Sequence, residues 1–219
     1  MDMLIEPLDY LINLDVHLNE LIVYFGNFIY VVLFSIIFCE TGLVITSFLP
    51  GDSLLFIVGA LSSGGTLNIG LSIIILISAS ILGDTSNYYI GRYLGPKIFK
   101  RDKVMFFNKK HILKAHNFYD KHGGKTVTLA RFLPIFRTFV PFTAGMGGMP
   151  YRRFIGYSIL GSVSWVLLFT LSGFFFGNIN YVKNNFSLVL VAVGLFSTTS
   201  IMIVYFKNRK YNRSKTMRK

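Results

Sequence analysis

Long apolar stretches alternating with short polar segments dominate the pattern of this chain. Four stretches contain no charged residue and are each close to the ~20 residues that a membrane-spanning helix needs; they are 21–39, 66–83, 154–177 and 186–206. With 53% hydrophobic and 15% charged residues, the composition favours a membrane protein over a soluble one. We predict an all-α polytopic protein, a single membrane domain over residues 1–219 with about four spanning helices.

Two further apolar stretches, 40–63 and 126–149, contain residues that interrupt helices. The breakers are Pro50, Gly51, Pro134, Pro141 and Gly145. Irregular backbone at membrane depth is tolerated only where it is buried in protein or lines a wet cavity. We therefore predict that each stretch enters the membrane, turns and leaves as a re-entrant helical hairpin.

Basic residues are confined to the second part of the chain and predict its orientation. Residues 1–91 contain eight acids and no Lys or Arg, whereas 92–125 contain ten Lys or Arg and the tail 207–219 contains seven. The positive-inside rule places the basic loop 92–125 and this tail in the cytoplasm. An even number of crossings must then separate them, so 126–149 is the stretch that fails to cross.

The two hairpins share a short sequence likeness. Residues 47–50, SFLP, resemble residues 138–141, TFVP, and Glu40 and Arg131 each lie ten residues before the proline. If the halves are related, they form an inverted-topology repeat, which is common in secondary transporters. The N-terminus would then be cytoplasmic, with residues 1–20 forming an amphipathic segment at the interface.

Five ionisable residues fall near membrane depth, where such groups are costly and mark functional sites. They are Glu40, Asp52, Asp84, Arg131 and Arg137. No acid follows Asp120, so the two arginines must be neutralised by the first half, by an anionic ligand, or by both in turn. The hairpins are therefore expected to meet.

The two residue types suggest different roles. Arginine donates bidentate hydrogen bonds and stays charged, which suits a phosphate group at Arg131 and Arg137. Burial disfavours a charged carboxylate and a nearby guanidinium favours it, so Glu40, Asp52 and Asp84 could exchange protons as the arginines change partner. The alternative is that Glu40–Arg131 and Asp52–Arg137 are static ion pairs. Asp84 either lines the cavity or is an end-of-helix residue bonded to Tyr88.

Other residues suggest less. We interpret the histidines as surface residues and Trp165 as a packing or interface residue. No nucleophile–base set, metal template or cofactor motif is visible, so neither an enzyme nor a metal or cofactor site is predicted. The basic segments border hydrophobic spans, which favours a role in topology over nucleic-acid binding.

Three segments within about residues 25–180 are the most distinctive of the chain: FCETGLVITSFLPGDSLLFIVGAL, GDTSNYYIGRYLG and ARFLPIFRTFVPFTAGMGGMPYRRFIGYSILGSVSW. In them the chain resembles the DedA family of bacterial inner-membrane proteins, which contain the VTT domain. The resemblance implies two opposed re-entrant hairpins, functional acids at Glu40 and Asp52, and functional arginines at Arg131 and Arg137. It also implies transport driven by the proton-motive force, and for some members the return of undecaprenyl phosphate to the cytoplasmic leaflet.

Two functional hypotheses follow. In the first, the protein lies in the bacterial cytoplasmic membrane and flips a lipid phosphate, with protons and membrane lipids as its other partners. In the second, it is a proton-coupled antiporter of small molecules or cations, whose arginines only tune the acids. A non-transporting scaffold is a third alternative. The sequence leaves the oligomeric state open, a dimer included.

Overall fold

The computed structural model describes residues 26–43, 51–99 and 124–177, together with residues 179 and 182. All regular structure in these ranges is helical, which confirms the predicted all-α class. A 3-10 turn at Gly26–Phe28 leads into the first of six α-helices: α1 (Ile29–Gly42), α2 (Gly51–Ser63), α3 (Ile69–Phe99), α4 (Lys125–Ala130), α5 (Pro134–Met146) and α6 (Tyr151–Phe176).

In the described part of the chain, two helices are long and apolar enough to cross a membrane. Ile69–Gly95 has 27 residues and Tyr151–Phe176 has 26, so each extends roughly 40 Å at 1.5 Å per residue, against ~30 Å of hydrocarbon. They coincide with the predicted spans 66–83 and 154–177, although the first is longer because residues 84–99 continue the helix. The first predicted span corresponds to a shorter apolar helix, Gly26–Gly42.

Several predicted segments lie outside the described residues. They are the N-terminal segment 1–20, most of the basic loop 92–125, the span 186–206 and the tail 207–219. The predicted start of the loop at residue 92 is wrong, because residues 92–99 form the last turns of α3. The number of spans and the positions of the termini stay predictions.

Exposed apolar and buried charged side chains distinguish this domain from a soluble protein, although it also has a buried apolar core. Large apolar residues such as Ile74, Leu160 and Phe175 are exposed, whereas the charged side chains of Glu40 and Asp84 are fully buried. An apolar exterior around a polar interior suits a hydrocarbon solvent, because lipid neither rewards burial of apolar groups nor hydrates charges. The described helices therefore form a membrane domain.

The helices α2 and α5 are too short to cross alone. Each has 13 residues, about 20 Å long. In α2 every residue from Gly51 to Gly59 is buried, so protein rather than lipid surrounds its first two turns. Each half of the chain thus contains a helix pair (α1 and α2, or α4 and α5) before one long helix. That these pairs are re-entrant stays a prediction.

The predicted breakers have different local roles. Residues 131–133 interrupt the chain between α4 and α5, and α5 begins at Pro134, where a proline needs no hydrogen-bond donor. Pro141 instead lies inside α5 and Gly145 near its end, so neither interrupts this helix. Gly51 is the first residue of α2, and Pro50 lies outside the described residues.

Close glycine contacts set the two main helix crossings. Where α2 packs on α6, a Cβ at Gly59 would collide with the carbonyl oxygen of Thr170, and one at Gly173 with that of Phe56. Small residues of this kind let membrane helices approach to backbone contact. The second arm of the first half therefore packs on the long helix of the second half.

The crossing of α5 on α3 repeats the same pattern. A Cβ at Gly145 would collide with the carbonyl oxygen of Tyr88, and one at Gly91 with that of Phe142. Each arm thus contributes Phe-x-x-Gly and each long helix contributes a glycine three residues after the contacted carbonyl. This supports a structural repeat with exchanged arms.

The register of this repeat differs from the one that the sequence likeness predicts. The crossings align Phe56 with Phe142, whereas matching residues 47–50 to 138–141 would align Phe56 with Gly147. The reason is that backbone contact between helices, rather than a shared proline motif, fixes the equivalent positions.

Candidate functional site

The two arginines lie inside the helical domain, and both ion-pair with acids of the first half. Arg137, on α5, reaches two of them. Its Nη2 donates to Glu40 Oε1 at the end of α1, and its Nη1 donates to Asp52 Oδ1 in the first turn of α2, at 3.1 Å. All three side chains are almost fully buried. One guanidinium therefore joins both arms of the first helix pair to the second arm of the other.

The start of α2 fixes the Glu40 carboxylate. The backbone N–H of Gly51 donates to Glu40 Oε1 at 3.1 Å, and a Cβ at Gly51 would occupy the space of the carboxylate. A free N–H at a helix start is a suitable donor to an anion. Gly51 is thus part of the site as a close backbone contact rather than only as a breaker.

Gly51→Ala should displace the Glu40 carboxylate without changing any charge. We expect the unfolding free energy to fall by about 1–3 kcal/mol, because a buried ionised group loses a hydrogen bond, and the midpoint of thermal unfolding in detergent measures this. Gly70→Ala is the matched control, since its Cβ would meet only Asn68 Oδ1, at 3.5 Å. An equal effect of both substitutions would contradict the assigned contact.

Arg131 follows α4 and forms a second ion pair with α3. Its Nη1 donates to Asp84 Oδ2, and its Nη2 donates to the hydroxyl of Ser80 and, at 3.3 Å, to that residue's carbonyl oxygen. Ser158 on α6 donates a further hydrogen bond, of 2.6 Å, to Asp84 Oδ2. The Nε of Arg131 has no hydrogen-bond partner among the described residues.

Trp165, in the middle of α6, lies between the two arginines. Its ring centroid is 5.6 Å from the Arg131 Cζ and 5.3 Å from the Arg137 Cζ, within cation–π distance of both. Its indole N–H donates to Asp52 Oδ1 at 2.7 Å. The two ion-pair groups therefore share one aromatic neighbour and form one polar centre.

Asn87 adds a neutral contact at the edge of this centre. Its Nδ2 donates to the carbonyl oxygen of Thr138 at 2.7 Å and to that of Thr41 at 3.4 Å. These carbonyls belong to the residues next to Arg137 and Glu40 along the chain. The buried amide thus links α3 to α5 and α1, which carry one of the ion pairs.

The charge of the centre is unequal. Counted by themselves, two guanidiniums face three carboxylates, so the fully ionised group has one excess negative charge. The exposed fraction is lowest for Glu40, at 0%, and highest for Asp52, at 8%. A buried net charge is far more costly than a neutral group, so the five residues can take up one proton or one further cation.

The arrangement agrees with some of the predicted contacts and corrects others, while the predicted roles of these residues stay predictions. The arginines are neutralised by first-half acids, and the ion pair Asp52–Arg137 is present. The alternative pair Glu40–Arg131 is wrong: Glu40 contacts Arg137, and Arg131 contacts Asp84. Of the two alternatives for Asp84, an end-of-helix residue bonded to Tyr88 is wrong, because Asp84 lies within α3 and accepts from Arg131, while the Tyr88 hydroxyl donates to Met149.

The predicted site lacked Ser80, Asn87, Ser158 and the central position of Trp165. A usable signal exists in the spacing of polar residues along the two long helices. Ser80, Asp84 and Asn87 occur at i, i+4 and i+7, and so do Ser158, Ser162 and Trp165, which places each set on one helix face. In the described part of the chain, no cluster of three or more His, Cys, Asp or Glu is arranged to hold a metal ion.

Comparisons with known proteins identify relatives over nearly the whole chain. The family model of the VTT domain matches residues 49–175. Protein DedA of Escherichia coli K12 is 47% identical over 212 residues, covering 96% of this chain and 97% of that protein. A Mycobacterium tuberculosis protein described as an uncharacterized membrane protein is 39% identical over 181 residues, covering 82% and 79%. Inner membrane protein YghB of Escherichia coli K12 is 34% identical over 185 residues, covering 80% and 84%. No solved structure matches the chain.

Proposed function

This chain belongs to the DedA family of membrane proteins with a VTT domain, and from that premise we propose that it is a flippase linked to the proton-motive force. Its substrate would be undecaprenyl phosphate or a related phospholipid, returned across the bacterial cytoplasmic membrane. The observation that carries the proposal is the buried centre in which Arg131 and Arg137 are neutralised only by acids of the other half among the described residues.

The chemistry of the two guanidiniums suits a phosphate headgroup. Each has a planar set of donors that matches phosphate oxygens, and neither loses its charge at accessible pH. In the present state carboxylates occupy these donors. A phosphate monoester offers the same type of oxygen with more charge, so it can compete for the donors that Glu40 and Asp52 now hold.

Exchange of anions supplies a reason for proton coupling. When a headgroup takes the guanidinium of Arg137, Glu40 and Asp52 lose their cation and remain buried. An isolated buried carboxylate is costly, so a proton should bind there as the headgroup binds. The Asp52 side chain retains 11% exposure, which makes it the more accessible of the two acids.

The proposed route uses both helix pairs. The helices α2 and α5 would be the inner arms of two opposed re-entrant hairpins, with the isoprenoid tail remaining in lipid beside them and both chain termini in the cytoplasm. Each arm packs on the long helix of the other half. Tilting one half would therefore move each arm relative to the residues with which it forms ion pairs.

The test is translocation of labelled undecaprenyl phosphate in reconstituted vesicles, with and without a pH gradient. We expect the wild-type rate to rise with the gradient. Arg131→Lys and Arg137→Lys keep the charge that neutralises the acids but lose the planar set of donors, and each should lower the rate at least about tenfold. Arg153→Gln is the matched control, since Arg153 is exposed and lies outside the centre.

The outcomes separate folding from function. Size-exclusion chromatography and thermal unfolding first identify the variants that remain folded. Wild-type translocation by a folded Arg131→Lys plus Arg137→Lys double variant would refute the phosphate-binding role. No translocation by the wild type, together with unchanged function in cells of folded, charge-neutral variants of all five residues, would favour the non-transporting scaffold.

A second candidate function rests on the excess carboxylate of the centre. Three acids against two arginines could exchange a proton for a monovalent or organic cation, which would make the protein a proton-coupled antiporter. Proton movement driven by a cation in vesicles that contain no polyprenyl phosphate would support this reading. Its absence, together with translocation of the lipid, would support the flippase.

A further inference from the structure

We propose that Trp165 is a positioning residue for the lipid headgroup. Its ring holds the two guanidiniums in one chamber, and its N–H retains Asp52 when a phosphate replaces that carboxylate on Arg137. This inference rests on the proposed function. It gives Trp165 a part in that function, although Trp165 itself binds no substrate atom. It follows from two separate contacts of one fully buried side chain.

The ring contacts add to the three carboxylates in holding two like charges at one site. Arg131 and Arg137 approach the same ring to 5.6 and 5.3 Å, although their mutual repulsion is strong in a dry interior. The negative face of an indole attracts both cations, and such contacts are strongest when desolvated. The headgroup therefore meets two guanidiniums that already contact one ring, which lowers the entropy that binding must overcome.

The N–H contact explains how Asp52 tolerates the exchange. In the present state Asp52 Oδ1 accepts from both Arg137 and Trp165, at 3.1 and 2.7 Å. If a phosphate draws the Arg137 guanidinium away, the indole N–H still donates to this oxygen. Asp52 then keeps a buried hydrogen bond in both states, so the carboxyl need not move far between them.

A packing role makes different predictions. Trp165 also contacts Phe169, with ring centroids 6.5 Å apart, and Phe169 has no described contact with a charged group. Trp165→Phe keeps a ring but loses the N–H, and Trp165→Leu loses both. Phe169→Leu removes a neighbouring ring alone. If Trp165 only packs, all three variants should alter stability. Lipid binding and the maximal translocation rate should then change together or not at all.

The experiment uses the full chain with labelled undecaprenyl phosphate, measuring binding in detergent and translocation rates at varied lipid content. We expect Trp165→Leu to weaken binding at least about tenfold, because it removes the desolvated cation–π contacts with both arginines. Trp165→Phe should keep binding within about threefold and lower the maximal rate about tenfold, since one hydrogen bond to a charged group is lost. Phe169→Leu should change neither.

A spectroscopic measurement needs no variant at Trp165. It is the only tryptophan in the chain, so the intrinsic tryptophan emission reports this centre alone. We expect the emission to shift when undecaprenyl phosphate is added, and to stay constant in a folded Arg131→Lys plus Arg137→Lys protein. Constant wild-type emission at a lipid concentration that saturates binding would overturn the inference.

These outcomes also separate the two proposals. If the wild-type protein neither binds nor translocates the lipid, the proposed function fails. If it does both, and folded Trp165→Leu binds like the wild type, the positioning role fails while the function stands.

Discussion

Replacing Arg137 by methionine should lower the free energy of unfolding by about 3–5 kcal/mol, since this removes the shared cation of two buried carboxylates. When ionised, Glu40 and Asp52 are hydrogen-bond acceptors only, and both side chains are almost fully buried. Methionine fills much of the volume of the arginine side chain. The lost stability is therefore electrostatic and does not come from a cavity. Unfolding in detergent, followed by helical circular dichroism, measures the change.

A double-mutant cycle tests the assignment of this energy. In a Glu40→Gln plus Asp52→Asn background, the same Arg137→Met substitution should cost less than about 1 kcal/mol, because no charged partner is left uncompensated. Arg152→Met, at an exposed position of α6, is the control in both backgrounds. An equal cost of Arg137→Met with and without the acids would show that these ion pairs contribute nothing.

A single methyl group at Gly91 should destabilise the domain by about 3 kcal/mol, because it must force α3 and α5 apart. The added Cβ would collide with the backbone carbonyl of Phe142, which cannot rotate away as a side chain can. Gly145→Ala should act in the same way against Tyr88. The expected losses exceed the helix propensity of about 1 kcal/mol that alanine gains over glycine.

Gly156→Ala is the control for these substitutions. Gly156 lies within α6, and a Cβ there would meet nothing within 4 Å, so only the propensity gain remains. We expect its thermal midpoint to equal or exceed that of the wild type. If Gly91→Ala also unfolds at or above the wild-type midpoint, the crossing is looser than the backbone contact indicates.

The sequence determines the charge balance of the site better than its geometry. Because no acid follows Asp120, neutralisation of the arginines by first-half acids could be predicted by counting. Which acid meets which arginine could not be counted, since Glu40 and Asp84 are both first-half acids. The exchange of arms between halves decides it, and that exchange depends on glycine contacts distant in sequence.

Trp165 shows a second limit of sequence reasoning. Tryptophan in membrane proteins is enriched near the interface, which suggested an interface residue as an alternative to a packing one, but this residue lies buried in the middle of α6. An indole N–H at that depth needs an acceptor, and Asp52 provides one. The depth of a residue within its span is thus more informative than its type.

The helix boundaries were predictable where composition changes and uncertain where it does not. The spans at α3 and α6 follow from long uncharged runs, and the start of α5 follows from Pro134. The uncharged run stops at Gly83, but α3 continues past Asp84 to Phe99, because a buried arginine neutralises this acid. A charged residue ends a membrane helix only if the domain contains no buried residue of opposite charge to pair with it.

The exchanged arms have a consequence for biosynthesis. Gly59, in α2, packs on Thr170, in α6, so α2 emerges from the ribosome long before its partner helix exists. At 5–20 residues per second, the intervening roughly one hundred residues take about 5–20 s to synthesise. During that interval the insertion machinery must shelter a short helix that carries an unneutralised aspartate, and the domain can close only after α6 has been inserted.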